Sequence, residues 1–202
     1  MIRNLITLSV FLLLIACQNK ESRVDKIDSE PIDLSVLPDM SIFHLPSKWT
    51  NQDGEDIELI DLQGKTLVIT MIYTSCQASC PRLIADMRHI EKEIPKELED
   101  KIQFVFVSID PEIDTPERMR LFAKENKMEE DKWIFLRGSE ENTREFAAVL
   151  AVSYKAISPV DFSHSNIISV FDKKGELVFQ REGLGVNNQS VIDAIIKTTT
   201  NN

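Results

Sequence analysis

Basic residues are scarce in this chain of 202 residues: 23 Lys and Arg stand against 33 Asp and Glu, for a formal net charge of −10. The acids are spread along the chain, and the electrostatic footprint of a nucleic-acid binder is missing, so no nucleic-acid partner is expected. Glycine and proline are also sparse, at 6 and 8 residues, which rules out collagen-like and low-complexity architectures. There is no internal repeat. Only three cysteines occur, too few for a miniprotein stapled by disulfides, so each must be explained singly. The longest apolar run near the start, residues 5–16, is broken only by Thr7 and Ser9 and falls short of the roughly 20 residues that span a bilayer comfortably. The remainder is ordinary globular composition, 43% hydrophobic, enough for one domain with a real core.

A single positive charge, Arg3, precedes the short apolar run, and the run ends Leu14-Ile15-Ala16-Cys17. Its length suits a secretory h-region. A small residue directly before cysteine resembles a bacterial lipoprotein signal, which would make Cys17 the acylated first residue of the mature chain. A signal without lipid, or a core segment with a free thiol, is the plainer alternative. The expected organisation is a signal peptide over residues 1–16, a polar tether over 17–40 and a folded domain over 41–202. Such a chain is placed outside the cytoplasm and held at a membrane.

Within the domain, residues 67–73 form a continuous apolar and β-branched run, as expected of a strand buried on both faces. Residues 102–109 make a second. Asn51-Gln52-Asp53-Gly54-Glu55 reads as a turn between short strands at Phe43-His44-Leu45 and Ile57-Glu58-Leu59. Pro81 opens a helix with Leu83, Ile84, Met87, Ile90 and Ile94 on one face. Thr115-Pro116-Glu117 is a helix start with a hydroxyl cap, proline at the first position and an acid in the first turn. A third strand is expected at 133–136, then a helix from Ser139 with Phe146, Val149 and Leu150 inward. Residues 167–171 and 177–180 flank Asp172-Lys173-Lys174-Gly175 as an antiparallel hairpin, and a last helix carries Val191, Ile192, Ile195 and Ile196. Strands alternating with helices, closed by a hairpin, predict a three-layer α/β domain with a mixed sheet.

The chemistry concentrates in Cys76 and Cys80, between the end of the best strand and the proline-opened helix. Backbone amides and the helix dipole there favour anionic sulfur, so at least one thiol should be acidic. If the segment is helical, a spacing of four puts both sulfurs on one face, able to share a metal or close a disulfide. A structural disulfide or two buried thiols is the plainer alternative, although so small a loop constrains little chain. Soft thiolates select Cu(I), zinc or iron–sulfur; a closed zinc site wants four ligands, whereas copper tolerates three. Of the histidines, His89 lies off the apolar stripe of its helix and His44 in a short strand near the tether. His164 sits in a loop at a strand entrance, where the default role is a hydrogen bond.

Three motifs together resemble the Sco/SenC family: Cys76-x-x-x-Cys80-Pro81 after a buried strand, the run from Val107 through Asp110-Pro111 and Asp114-Thr115-Pro116-Glu117 to Arg118, and Phe162-Ser163-His164-Ser165 before a strand. The resemblance covers residues 42–196 in the expected order. It implies a thioredoxin-like fold, a membrane-anchored protein of respiratory oxidase assembly, and copper, Cu(I) or Cu(II), on Cys76, Cys80 and His164. Where many members have Pro-Asp after the first cysteine, this chain has Gln77-Ala78, a departure that bears on partner docking. Asp110 is the nearest family-like acid and is expected to brace its loop.

Two functions follow from the resemblance. One is an extracytoplasmic metallochaperone that passes copper to the copper centre of a respiratory oxidase or related enzyme. The other is a thiol–disulfide oxidoreductase, with Cys76 and Cys80 as its redox-active pair, that reduces the cysteines of such a centre. A peroxiredoxin-like peroxidase is disfavoured because Thr-x-x-Cys is absent: Tyr73 and Gln77 stand three residues before the two cysteines.

Overall fold

The most apolar segments become the middle of a sheet. A computed structural model of the protein describes residues 37–76, 80–158, 161–185 and 187–201; the expected signal, the tether up to residue 36 and Gln77-Ala78 lie outside the described residues. In chain order the elements are β1 Lys48–Asn51, β2 Asp56–Glu58, β3 Thr66–Ile72, α1 Cys80–Glu93, β4 Ile102–Ser108, α2 Pro116–Glu125 and β5 Trp133–Arg137. There follow α3 Glu140–Val149, β6 Tyr154–Ser158, β7 Asp161–His164, β8 Ile167–Phe171, β9 Leu177–Glu182 and α4 Gln189–Thr200. Seven strands form one sheet in the order β2-β1-β5-β4-β3-β8-β9, and β6 and β7 pair separately. Strands β3, β4 and β5 run parallel, while β8 lies antiparallel to β3 and β9 antiparallel to β8. Every residue of β3, β4 and β8 is buried, which is why these segments carry no polar alternation.

Two successive parallel crossovers, β3-α1-β4 and β4-α2-β5, advance across the sheet in one direction, which under the right-handed rule for such units puts α1 and α2 on one face. Phe122 of α2 meets Phe135 edge-on at 6.0 Å, and Arg88 of α1 donates to the Asn126 carbonyl just beyond α2 at 2.8 Å. Helix α4 joins this layer, its Thr199 hydroxyl bonding to that of Thr66 at 2.9 Å. Opposite them, Phe146 of α3 packs edge-on against Trp49 at 5.5 Å. The result is the expected three-layer α/β arrangement around a mixed sheet. Helix starts follow local chemistry: Thr115 accepts from the Arg118 amide ahead of Pro116, and Ser139 from the Asn142 amide, caps worth about 1 kcal/mol each. At the β8–β9 turn the Asp172 carboxylate accepts from the Lys174 and Glu176 amides. Gly175 takes φ +79°, where a Cβ would also press into Ser41 and Phe43.

Three local expectations are corrected. Residues Ile42–His44 form a 3₁₀ turn capped by Ser41, and the hairpin is made by Lys48–Asn51 with Asp56–Glu58 around the predicted turn. Val149 is 44% exposed; Thr143 and Ala147 share the inner face with Phe146 instead, because a helix starting at Glu140 turns that stripe to the sheet. His164, expected in a loop, belongs to a strand, β7, whose partner β6 is mostly exposed and lacks a buried period. Among the described residues no helix is long and apolar enough to cross a membrane.

Phe106 stacks on Phe135 at 4.9 Å and on Trp133 at 5.9 Å. Phe106→Ala should cost about 3–5 kcal/mol of unfolding free energy by urea titration, and a loss below about 1 kcal/mol would contradict the aromatic layer as a packed unit.

Candidate metal centre

Strand direction assembles the site. Parallel β3 and β4 end at the same edge of the sheet, and antiparallel β8 begins there, with Ile168 opposite Thr70. The Thr70 hydroxyl fastens this junction by donating to the Ile167 carbonyl at 2.8 Å. The segment after β3 carries Cys76, the first residue of α1 is Cys80, and His164 ends the strand that leads into β8. Nearly ninety residues of chain separate the imidazole from the thiols, yet topology brings the three together.

Cys76 lies ahead of the helix in a turn, its amide donating to the Tyr73 carbonyl at 3.2 Å. The pair is therefore not two positions on one helical face, as its spacing suggests, but a turn sulfur and a helix-start sulfur. The Cys80 amide donates to Cys76 Sγ at 3.3 Å, so a helix-terminal N–H that needs an acceptor meets a sulfur that gains from one. Cys80 is fully buried, and burial pushes its thiol well above the usual range, the neighbouring Cys76 adding to the shift. The helix-start amide thus meets Cys76 Sγ as a hydrogen-bond donor, while desolvation dominates at Cys80 and opposes the acidic thiol expected there.

Cys80 Sγ lies 3.8 Å from His164 Nε2, and the donor atoms of Cys76, Cys80 and His164 all fall within 4.8 Å of one another. Cys76 and Cys80 are both in the thiol form, with no disulfide between them. His164 Nδ1 is 3.0 Å from the Ser165 carbonyl; a carbonyl can only accept, so the proton sits on Nδ1 and Nε2 presents its lone pair to the sulfurs. Burial lowers the His164 pKa below its ordinary value, although the Ser165 carbonyl and Asp161 pull the other way, which favours the neutral, ligating form. Two sulfurs and one imidazole nitrogen form a soft, three-donor set suited to a low-coordinate thiophilic ion.

The loop holding Cys76 is braced from β4. The Asp114 carboxylate accepts from the Thr74 amide at 3.2 Å, the Thr74 hydroxyl at 2.5 Å and the Ser108 hydroxyl at 2.6 Å. Arg118 Nε donates to Thr74 Oγ1 at 2.7 Å. Burial raises the Asp114 pKa against the opposing pull of these hydrogen bonds. Asp110 braces the loop after β4 through its carbonyl, which accepts from the amides of Ile113 and Asp114, and burial raises its carboxyl as well. The sequence gives Asp110 a bracing role and shows Asp114 only as part of the motif with Thr115 and Pro116, with no role of its own, since its partners on Thr74 and Ser108 are brought to it by the fold. Tyr73, whose hydroxyl donates to Asp161 Oδ1, likewise receives no site role from the sequence. His44 and His89 are exposed and outside the cluster, and Cys17 lies outside the described residues.

A mixed sheet with a dithiol at the start of its first long helix defines a thioredoxin-like domain, here with an imidazole added to the pair. The chain belongs to the SCO1/SenC family, whose model matches residues 39–200. It is 31% identical over 149 residues to the SCO1 protein homolog of Bacillus subtilis, a match covering 73% of this chain and 68% of that protein. A SCO1/SenC family lipoprotein from Bacillus anthracis superposes with a TM-score of 0.68 at 27% identity, over 75% of this chain and 91% of that one. The crystal structure of Arabidopsis thaliana ScoI with copper bound superposes with a TM-score of 0.66 at 22% identity, over 79% and 99%; at that identity the likeness is one of fold.

Because His164 is held below its ordinary pKa, the unfolded chain takes up this proton first as pH falls. Its contribution to stability is present above about pH 6.5 and is lost as pH drops toward the folded-state value. Urea unfolding of metal-free protein should therefore show wild type losing stability relative to His164→Gln between about pH 7 and pH 5. A constant difference across that range would contradict a buried neutral imidazole.

Proposed function

We propose that the protein binds copper outside the cytoplasm and passes it to the copper centre of a respiratory oxidase or a related copper enzyme. Cys76 and Cys80 serve as thiolate ligands and His164 as the nitrogen ligand. The convergence of two sulfurs and one oriented imidazole nitrogen within 4.8 Å carries the reading. Family membership and the copper-bound relative support it. In this reading the thiolates alone satisfy Cu(I), and the imidazole completes a site able to hold Cu(II), which favours nitrogen donors. Three ligands leave copper open to attack by an incoming partner thiolate, so cargo can be handed on by ligand exchange. Cys17 anchors the domain to the membrane through its lipid, with residues 18–40 as a spacer.

A second reading rests on the Cys80 amide at Cys76 Sγ, an arrangement that favours a thiolate at Cys76. As a thiol–disulfide reductant, the Cys76 thiolate would attack a partner disulfide, forming a mixed disulfide and releasing one partner thiolate. Cys80, on losing its proton, would displace the second partner thiolate and close a Cys76–Cys80 disulfide. Two electrons pass to the partner, and this protein ends oxidised.

Anaerobic titration of the reduced protein should give one tightly held copper per chain. His164→Ala should keep most Cu(I) affinity and lose the thiolate-to-Cu(II) charge-transfer absorption, whereas Cys76→Ser or Cys80→Ser should abolish both. Unchanged Cu(II) absorption and affinity in His164→Ala would remove the imidazole from the site and bring the reductase reading forward. Cys17→Ser should leave the membrane fraction with copper binding intact; copper loss equal to that of Cys76→Ser would place Cys17 in the metal site instead.

A further inference from the structure

His164 is carried on the β6–β7 hairpin, which pairs only with itself and stands apart from the seven-stranded sheet. Residues Lys155, Ala156, Ile157 and Ser158 of β6 are exposed, and the hairpin meets the core through the partly buried Tyr154 and Phe162. Among the described residues, Tyr73, three residues before Cys76 and 1% exposed, links it to the thiol loop, its hydroxyl also within hydrogen-bonding reach of the Cys76 thiol. The phenol hydroxyl donates to Asp161 Oδ1, and the Phe162 amide reaches the same hydroxyl oxygen at 3.3 Å. The Phe162 amide also lies 3.0 Å from Asp161 Oδ1. The Tyr73 ring meets Phe162 edge-on at 5.3 Å and His164 edge-on at 5.8 Å. One side chain on the thiol side thus contacts three residues of the strand that ends in the imidazole.

We propose that Tyr73, through its hydrogen bond to Asp161, is the positioning residue that holds His164 against the Cys76–Cys80 pair. It thereby decides whether the site offers copper three donors or two. Tyr73 supplies no ligand atom in this role. The phenol fixes the start of β7, the two edge-on ring contacts fix its inward face, and the Ser165 carbonyl sets the tautomer. An imidazole so held needs little ordering when copper arrives, and orientation of a metal-binding histidine by neighbouring groups is worth about 10–100-fold in affinity. The cost of losing Tyr73 falls on the copper state that needs nitrogen and spares the state that sulfur alone satisfies.

This inference rests on the copper reading, and its test separates the two. Full chains of wild type, Tyr73→Phe, Asp161→Ala, Asp161→Asn, His164→Ala and the Tyr73→Phe/His164→Ala double variant are titrated with Cu(I) and Cu(II). In parallel, the His164 ring is followed by ¹⁵N NMR without metal. Tyr73→Phe keeps the ring contacts and removes only the hydroxyl, so the fold is retained. It should weaken Cu(II) binding about tenfold and diminish the charge-transfer band, with Cu(I) affinity within about twofold of wild type. Asp161→Ala should match it, and Asp161→Asn, which keeps an acceptor oxygen, should restore most of the loss. Adding Tyr73→Phe to His164→Ala should change nothing further, since the imidazole it positions is gone. Equal weakening of Cu(I) and Cu(II), or a full additional loss on the His164→Ala background, would overturn the proposal by placing Tyr73's effect on the thiols. Wild type that binds no copper would defeat the copper reading alone. The metal-free spectra then decide: a His164 ring that becomes mobile or changes tautomer in Tyr73→Phe supports the positioning role, and an unchanged ring overturns it.

Discussion

The pairing of β8 against β3 is the constraint on which the site depends. It is antiparallel, so the entrance of one strand must lie beside the exit of the other, and its register sets Thr70 opposite Ile168. A slip of one residue would turn the buried faces of both strands to the wrong layer, so burial of the whole of β3 and β8 enforces the alignment. The Thr70 hydroxyl on the Ile167 carbonyl adds a polar fastening at the end where it matters. The meeting of His164 with the thiols is then a consequence of core packing more than of attraction between the groups themselves.

Around this junction the polar groups are arranged by desolvation. Asp114 is fully buried and is tolerated because three donors on Thr74 and Ser108 meet its oxygens, tying the exit of β3 to the loop after β4. Such a group costs free energy when its partners are removed, so it acts as a brace that resists rearrangement of the Cys76 turn. Burial acts on the donor atoms themselves in different ways. It holds His164 neutral and ready to ligate, and it resists charge on Cys80, while the Cys76 sulfur takes the Cys80 amide as a donor. Metal binding by the pair must therefore release a proton from Cys80, which links copper loading to pH. This asymmetry serves either of the two chemistries open to a dithiol.

Much of the fold was legible in the chain because buried strands and capped helices have local signatures. The apolar runs of β3, β4 and β8, the Thr115-Pro116-Glu117 start of α2 and the Asp172–Gly175 turn are read from neighbouring residues, since hydrogen bonding and burial act there within a few positions. The same locality explains the misses. Ile42–His44 forms a 3₁₀ turn from a sequence that looks extended, because the Ser41 hydroxyl finds the Phe43 amide and the Lys174 carbonyl. The β6–β7 hairpin lacks a buried period because Tyr154 and Phe162 pack only partly buried against the core while the rest of β6 is exposed, and periodicity signals a strand only where one face is buried.

For the site, the sequence by itself determined the donor types: two cysteines at a strand-to-helix junction and a histidine ahead of a buried strand, in an order that resembles one family. Spacing alone suggested a helical face for the thiols and left His164 an ordinary loop residue. Only the tertiary structure decided that Cys76 lies outside the helix, that its sulfur takes the Cys80 amide, and that His164 stands beside them on a hairpin held by Tyr73 and Asp161. The physical reason is separation along the chain. Contacts across 84 residues between Cys80 and His164, or 88 between Tyr73 and Asp161, leave no local pattern, and they exist because strand direction and register in the buried sheet bring distant segments to one edge.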